Sequence, residues 1–207
     1  MAGSVTAVEI ANRALARTGL GPVQSFDEAD GPLEGAVGLI YSSLVDFVLG
    51  SNDWHCTRTA QELAALTSPA VVMPLWDYAY QLPADRLGPP VGVFKDYDSR
   101  PVTAYQLADD LIHTNETRIV ITYHRQVGPT GWPAALGRVI ETALCAEFAA
   151  SIAENQSKSD RFKAQAYGTP ADAGRGGEMA IALQMDAYSS APDVFNDQGG
   201  PLLTARR

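Results

Sequence analysis

Three histidines, two cysteines and two groups of carboxylates are the residues with which this chain could do chemistry. His55 stands beside Cys56. With His113 or His124 they would offer donors to a zinc ion, which needs three or four of them converging. Their intervals match no zinc-binding spacing, so they read as partly exposed turn and strand histidines. A nucleophilic triad needs a serine or cysteine held against one of these imidazoles, and no local signature marks such a pair. Glycoside hydrolysis needs two carboxylates facing across a cleft. Asp27, Glu28 and Asp30 cluster in one segment and Asp109-Asp110 form another, a pattern that acidic proteins also carry in loops for solubility. Trp54, Trp76, Tyr78 and Tyr80 offer stacking faces, although aromatics this close to prolines more often pin a loop to a core. Gly174, Gly176 and Gly177 follow no expected strand and carry no lysine, which favours a flexible linker over a phosphate cradle. No nucleotide-binding, zinc-protease or serine-hydrolase signature occurs. No catalytic, cofactor-binding or metal-binding residue is assigned.

The 207 residues suffice for one substantial domain or two small ones, able to bury roughly 70% of the unfolded surface. A hydrophobic content of 46% with 19% charged residues is that of a globular chain. The formal charge of −9 removes the basic footprint that would grip nucleic-acid phosphates. Cys56 and Cys145 are far apart and read as two free thiols. No signal peptide is visible, and no stretch approaches the ~20 apolar residues of a membrane span. Two glycosylation sequons, at Asn115 and Asn155, read as accidental without a secretory signal. The expectation is a soluble protein made in a reducing compartment.

The elements that would position these residues follow from caps and periodicity. Thr6-x-x-Glu9 is a capping box for a first helix that Gly19 stops. A second helix is expected over 33–49, with Ala36, Leu39, Ile40, Leu44, Phe47 and Val48 as its core-facing stripe. Residues 56–66 mix strand and helix signals. Pro69 and Pro74 break the loop over 67–76, whose Val71, Val72 and Met73 should lie against something. Short strands are expected at Tyr78–Leu82, Val91–Tyr97, Val102–Leu107 and Leu111–His113. Thr114-Asn115-Glu116 reads as a hairpin turn into the strand Thr117–Arg125, where Ile119, Ile121 and Tyr123 alternate with Val120, Thr122 and His124. Trp132-Pro133 opens the most strongly signalled helix, to about Glu154, with Leu136, Val139, Ile140, Leu144, Phe148 and Ile152 as its apolar face. Two shorter helices follow, over 159–167 and 178–188. The segment 189–207 has no helical period and reads as extended or flexible. The class is α+β, because helices do not alternate with the strands.

In order along the chain, several blocks resemble the tail tubular protein A family, the head-to-tail adaptors of tailed, mostly short-tailed, bacteriophages. They are Glu9–Gly19, Ser25-Phe26-Asp27-Glu28, the aromatic turn Asn52-Asp53-Trp54, and Tyr78-Ala79-Tyr80-Gln81-Leu82-Pro83-Ala84-Asp85. The strand Ile119–Tyr123 and the alanine-rich helix after Trp132 complete the series. The resemblance covers roughly residues 4–167; Trp54, Tyr78, Tyr80, Gln81, Leu82 and Pro83 carry most of its specificity. The glycines of 168–177 depart from the continuous helix usual in the family.

The resemblance implies a helical bundle of N- and C-terminal helices (1–66 and 130–190) with a small, mostly antiparallel β module (67–129) inserted between them. It implies a non-enzymatic virion subunit, assembled in the host cytoplasm without cofactor or membrane. Twelve copies would form a ring between portal protein and tail nozzle, with possible contact to tail fibres, and let DNA pass unbound during genome ejection. Phe195, Leu202 and Leu203 in the tail 191–207 are the candidate portal anchors. The competing readings are a virion-associated peptidoglycan-degrading enzyme using the carboxylates Asp27, Glu28, Asp109 and Asp110, and an unrelated cellular binding module.

Overall fold

The computed structural model describes residues 5–66, 73–96 and 100–189. Phe195, Leu202, Leu203, Val71 and Val72 lie outside those residues. The class is α+β, with five helices and two three-stranded antiparallel sheets.

Helix α1 (Ala7–Thr18) begins at the expected capping box: the Thr6 hydroxyl accepts from the Glu9 amide while the Glu9 carboxylate accepts from the Thr6 amide. Gly19, at φ 88°, ends it in the left-handed region, and its N–H donates back to the Leu15 and Ala16 carbonyls. Helix α2 (Pro32–Gly50) starts on a proline. Its buried side chains are Val37, Tyr41, Val45, Val48 and Leu49, so the expected stripe is corrected: of its six members only Val48 is fully buried, and Leu39 and Phe47 face outward. The physical reason is that α2 is apolar almost all round. Periodicity cannot choose between two greasy faces, and Tyr41, packed 5.0 Å from the Phe26 ring, marks the chosen one. Of the helices described, α2 is long and apolar enough to cross a membrane by length and composition, contrary to the sequence expectation; its buried face packs in the core around α1 and α3.

The strands are β1 (Arg58–Leu63), β2 (Tyr78–Gln81), β3 (Gly92–Phe94), β4 (Tyr105–Ala108), β5 (Leu111–Thr114) and β6 (Ile119–His124). One sheet has the order β1-β6-β3 and the other β2-β5-β4. The expected hairpin at 114–116 is therefore a crossing, because β5 and β6 are the central strands of different sheets. Thr114 and its neighbours pair within one sheet, so Thr117 and Arg118 must carry the chain to the other. The turn that does close a hairpin is Asp109-Asp110, both at positive φ (47° and 64°), as a two-residue turn between β4 and β5 requires. Leu63, Tyr80, Val93, Ile112, Ile119, Ile121 and Tyr123 from both sheets share one apolar cluster.

Helix α3 (Ala134–Ser151) follows a single 3-10 turn, and ends three residues short of Glu154, which has φ 49°. Helices α4 (Gln156–Tyr167) and α5 (Gly177–Ala187) complete the chain described. The break between them is not a loose linker. Gly176 donates to the Tyr167 carbonyl, and a Cβ on Gly177 would stand 2.3 Å from the Gln165 carbonyl oxygen. A second cluster unites Ala14 and Leu15 of α1, Val37, Val45 and Val48 of α2, Leu136, Ile140, Leu144 and Phe148 of α3, Met179 of α5, and Trp54.

The Phe26 loop reaches α2 because Gly38 has no side chain: a Cβ there would lie 2.8 Å from the Phe26 Cβ. Gly137 on α3 has no such neighbour within 4 Å. We expect Gly38→Ala to lower thermal stability, its overpacking cost of about 1–3 kcal/mol outweighing the gain in helix propensity. Gly137→Ala is expected to raise it by up to about 1 kcal/mol. Calorimetry of the two variants checks the opposite signs.

Candidate interaction surfaces

The residues singled out by sequence fall into two structural roles in two cores. Trp54 is buried among the helices, where its indole N–H donates to the Val48 carbonyl at 2.9 Å and so caps the end of α2. Tyr80 is buried between the sheets and its hydroxyl donates to the Glu116 carbonyl at 2.7 Å. Tyr78 packs half-buried beside it. Exposed Gln81 donates to the Asp110 carbonyl, as does the Leu82 amide, and Pro83 accepts from Arg86. Arg86 also pairs with Asp110. The Tyr78–Pro83 block thus clamps the β4–β5 turn, presenting no reactive group to solvent.

The chemistry-bearing groups are scattered. His55 Nδ1 is 2.8 Å from Asp186, His124 lies between Thr57 (2.8 Å) and Asp53 (3.2 Å), and His113 is buried in β5 with Nδ1 unpartnered. Among the described residues no group of three or more His, Cys, Asp or Glu is placed to hold a metal ion. The acidic clusters lie in separate clefts: Glu28 beside Gly35 and Gly38 of α2, Asp109 and Asp110 beside Arg86 and Leu82. Asp27 is turned inward on its own loop, accepting from the Ala29 amide. Neither cleft holds a carboxylate from the other cluster.

Both cysteines are free. Burial pushes the Cys56 thiol up, and the nearby Asp186 carboxylate adds to this. Burial raises Cys145 to about 11. Neither is a thiolate nucleophile at neutral pH. Burial likewise pushes the Tyr41 and Tyr167 hydroxyls up to about 12.

A cleft of about 610 Å3 separates the start of α1 from the start of α3. Ile10, Trp132 and Pro133 line it, with Arg13, Arg138 and Glu141 among its polar groups. Glu141 accepts from Arg17 and Arg138, each at 3.2 Å, and Arg138 also reaches Glu178 at 3.3 Å. This network ties three helices together and leaves its carboxylate engaged. The cleft was not legible in the sequence, since its walls are 120 residues apart.

What the surface does offer is apolar area. Leu39 and Phe47 on α2, and Ile181, Met185 and Tyr188 at α5, are exposed large hydrophobics. A groove of about 420 Å3 runs along Leu39, Ile40, Ser43, Leu44 and Phe47, with Glu147 of α3 on its edge. Periodicity assigns Leu39, Ile40, Leu44 and Phe47 to the core; Ile40 and Leu44 do pack against it, while Leu39 and Phe47 are left exposed. Compared with models of known protein families and with curated proteins, the chain matches none.

The buried thiol and phenols set the alkaline limit of the fold. Their folded-state pKa values lie above the unfolded ones, so the unfolded chain loses protons first and stability falls as pH rises. We expect the melting temperature to fall progressively as pH rises through about 9 to 11 for Cys145, from the unperturbed 9.0 to its raised value. Cys145→Ala should remove that part of the decline and leave the tyrosine part.

Proposed function

We propose that this chain is a head-to-tail adaptor subunit of a phage virion: a structural protein, without catalysis, that assembles as a ring, twelve-membered by resemblance, between portal and tail nozzle. The observation that carries the reading is α2. Only 33% of this apolar helix is buried, and Leu39 and Phe47 stand exposed on it. Contiguous exposed apolar faces mark interaction sites, of which a protein contact is one kind. The residues of the family-like blocks are compatible with it, because Trp54, Tyr80 and Leu82 are buried structural residues.

On this reading residues 1–66 and 130–190 form one discontinuous helical-bundle domain, and 67–129 an inserted β module with β1 paired across the boundary to β6. The segment 191–207 clamps the portal through Phe195, Leu202 and Leu203. A net charge of −9 keeps the channel from holding DNA phosphates, so the genome slides through during ejection. The nozzle protein, and tail fibres where present, meet the opposite face.

The test is native mass spectrometry of the full-length protein mixed with the portal ring encoded in the same genome. One adaptor copy per portal subunit is expected. Phe195→Asp combined with Leu203→Asp should abolish loading without changing the circular dichroism of the free subunit. An intact, folded protein that never loads onto the portal would remove the reading.

A further inference from the structure

We propose that the exposed stripe of α2 is covered by the exposed stripe of α5 from a second copy of this chain. The proposal rests on the adaptor reading and names the junction between adjacent ring subunits.

The two stripes match in length and shape. Leu39 and Phe47, 74% and 64% exposed, stand eight residues apart, about 12 Å along the helix, with Ile40 and Leu44 half-buried between them. Ile181, Met185 and Tyr188 recur at i, i+4 and i+7, about 10 Å, and are 57%, 55% and 78% exposed. The α2 stripe borders a groove, whereas the α5 stripe is a ridge of three side chains, so the ridge of one helix can seat in the groove of the other.

Charge selects this pairing over the symmetrical one. Helix α2 carries Glu34 and Asp46 but no basic residue; Asp46 accepts from Gln126, and Glu147 on the groove's edge is 3.7 Å from the cation of Lys163. Packing α2 on α2 would bring these carboxylates together from both copies. Helix α5 has only Glu178 and Asp186, and both point inward. Glu178 accepts from Arg138 and Gln165, and buried Asp186 faces His55. Its outer stripe is flanked by the uncharged Ala180 and Gln184, so it meets the acidic groove without repulsion.

Two different patches on each subunit generate a heterologous contact, which propagates into a ring or an open chain, whereas a reciprocal pair of the same contacts would close a two-fold dimer and give no ladder beyond dimers. Each stripe offers on the order of a few hundred Å2, below the roughly 800 Å2 per partner of a stable standard interface. A single junction therefore forms weakly, and becomes persistent when a ring closes or a partner aligns the copies.

The experiment uses full-length protein in a Cys56→Ser background, with the buried Cys145 retained, and a short bismaleimide that tolerates small offsets in register. Leu39→Cys and Met185→Cys are introduced singly and together; both sites are exposed, and circular dichroism verifies folding. The chain with both cysteines should give a ladder of dimers, trimers and larger species. The two single variants, mixed, should give dimers only, and each alone should stay monomeric. Dimers from Leu39→Cys alone would indicate the symmetrical contact, and a cross-link within one monomer would place both stripes on one surface. Either result, or no cross-link at concentrations up to millimolar, overturns the proposal. So does replacement of the ladder by binding to phosphatidylcholine vesicles, which would make lipid the occupant of α2. A ring that loads on the portal yet lacks the 39–185 cross-link removes this junction and leaves the adaptor reading standing. A ladder from a protein that ignores the portal does the reverse.

Discussion

The helical part of the molecule depends on α3 being buried. Ten of its 18 residues are inaccessible, and α1, α2, α4 and α5 all pack against it. A helix can be surrounded this completely only if parts of its circumference are thin. Ala143, Ala146 and Ala149 supply that, and Cys145 comes within 3.7 Å of the Ala14 carbonyl on α1. Larger residues at these positions would hold the neighbouring helices apart and open voids around Leu144 and Phe148. With α3 in place, the ion network Arg17–Glu141–Arg138–Glu178 fixes how α1 and α5 lie along it.

The sheets depend on that helical core through a small joint. Trp54 closes the end of α2 and the chain turns directly into β1; Thr57 anchors His124 at the end of β6. A Cβ on Gly50 would be 3.3 Å from the Leu87 carbonyl, and Gln126 reaches back to Asp46 at 2.7 Å. These contacts are short and polar, in contrast to the apolar clusters on either side. The residues that most resemble a family signature sit around this joint and in the sheet cluster. Of these, Trp54, Tyr80 and Leu82 are buried, and packing accounts for them.

Surface character then follows from what the cores leave over. The outer stripe of α5 is free of carboxylates because Glu178 and Asp186 turn inward. The same inward turn gives the His55 amide and imidazole a partner and ties the last described helix to the first turn after α2. Exposed apolar side chains and internal bracing are two sides of one helix.

Local signals in the sequence determined the elements: the Thr6–Glu9 box, Gly19, the proline at 133, and the alternation through Ile119–Tyr123 all act within a few residues, and the elements they announce are present. So is the α+β class. Trp54 and Tyr80 were legible as anchors, as aromatics close to prolines, and both are buried. What sequence could not determine is every choice that compares distant segments. Both faces of α2 have the same period, and which is covered depends on α1, α3 and the Phe26 loop. Leu111–Thr114 and Ile119–His124 are equally strand-like, and only pairing with β2 and β4, or with β1 and β3, separates them into two sheets. The glycines after α4 looked like slack because their close approach to Tyr167 and Gln165 exists only once α5 folds back. Capping and alternation are energies between neighbours in the chain and can be read there; covering a face is an energy between surfaces, and only the tertiary structure decides which surfaces meet.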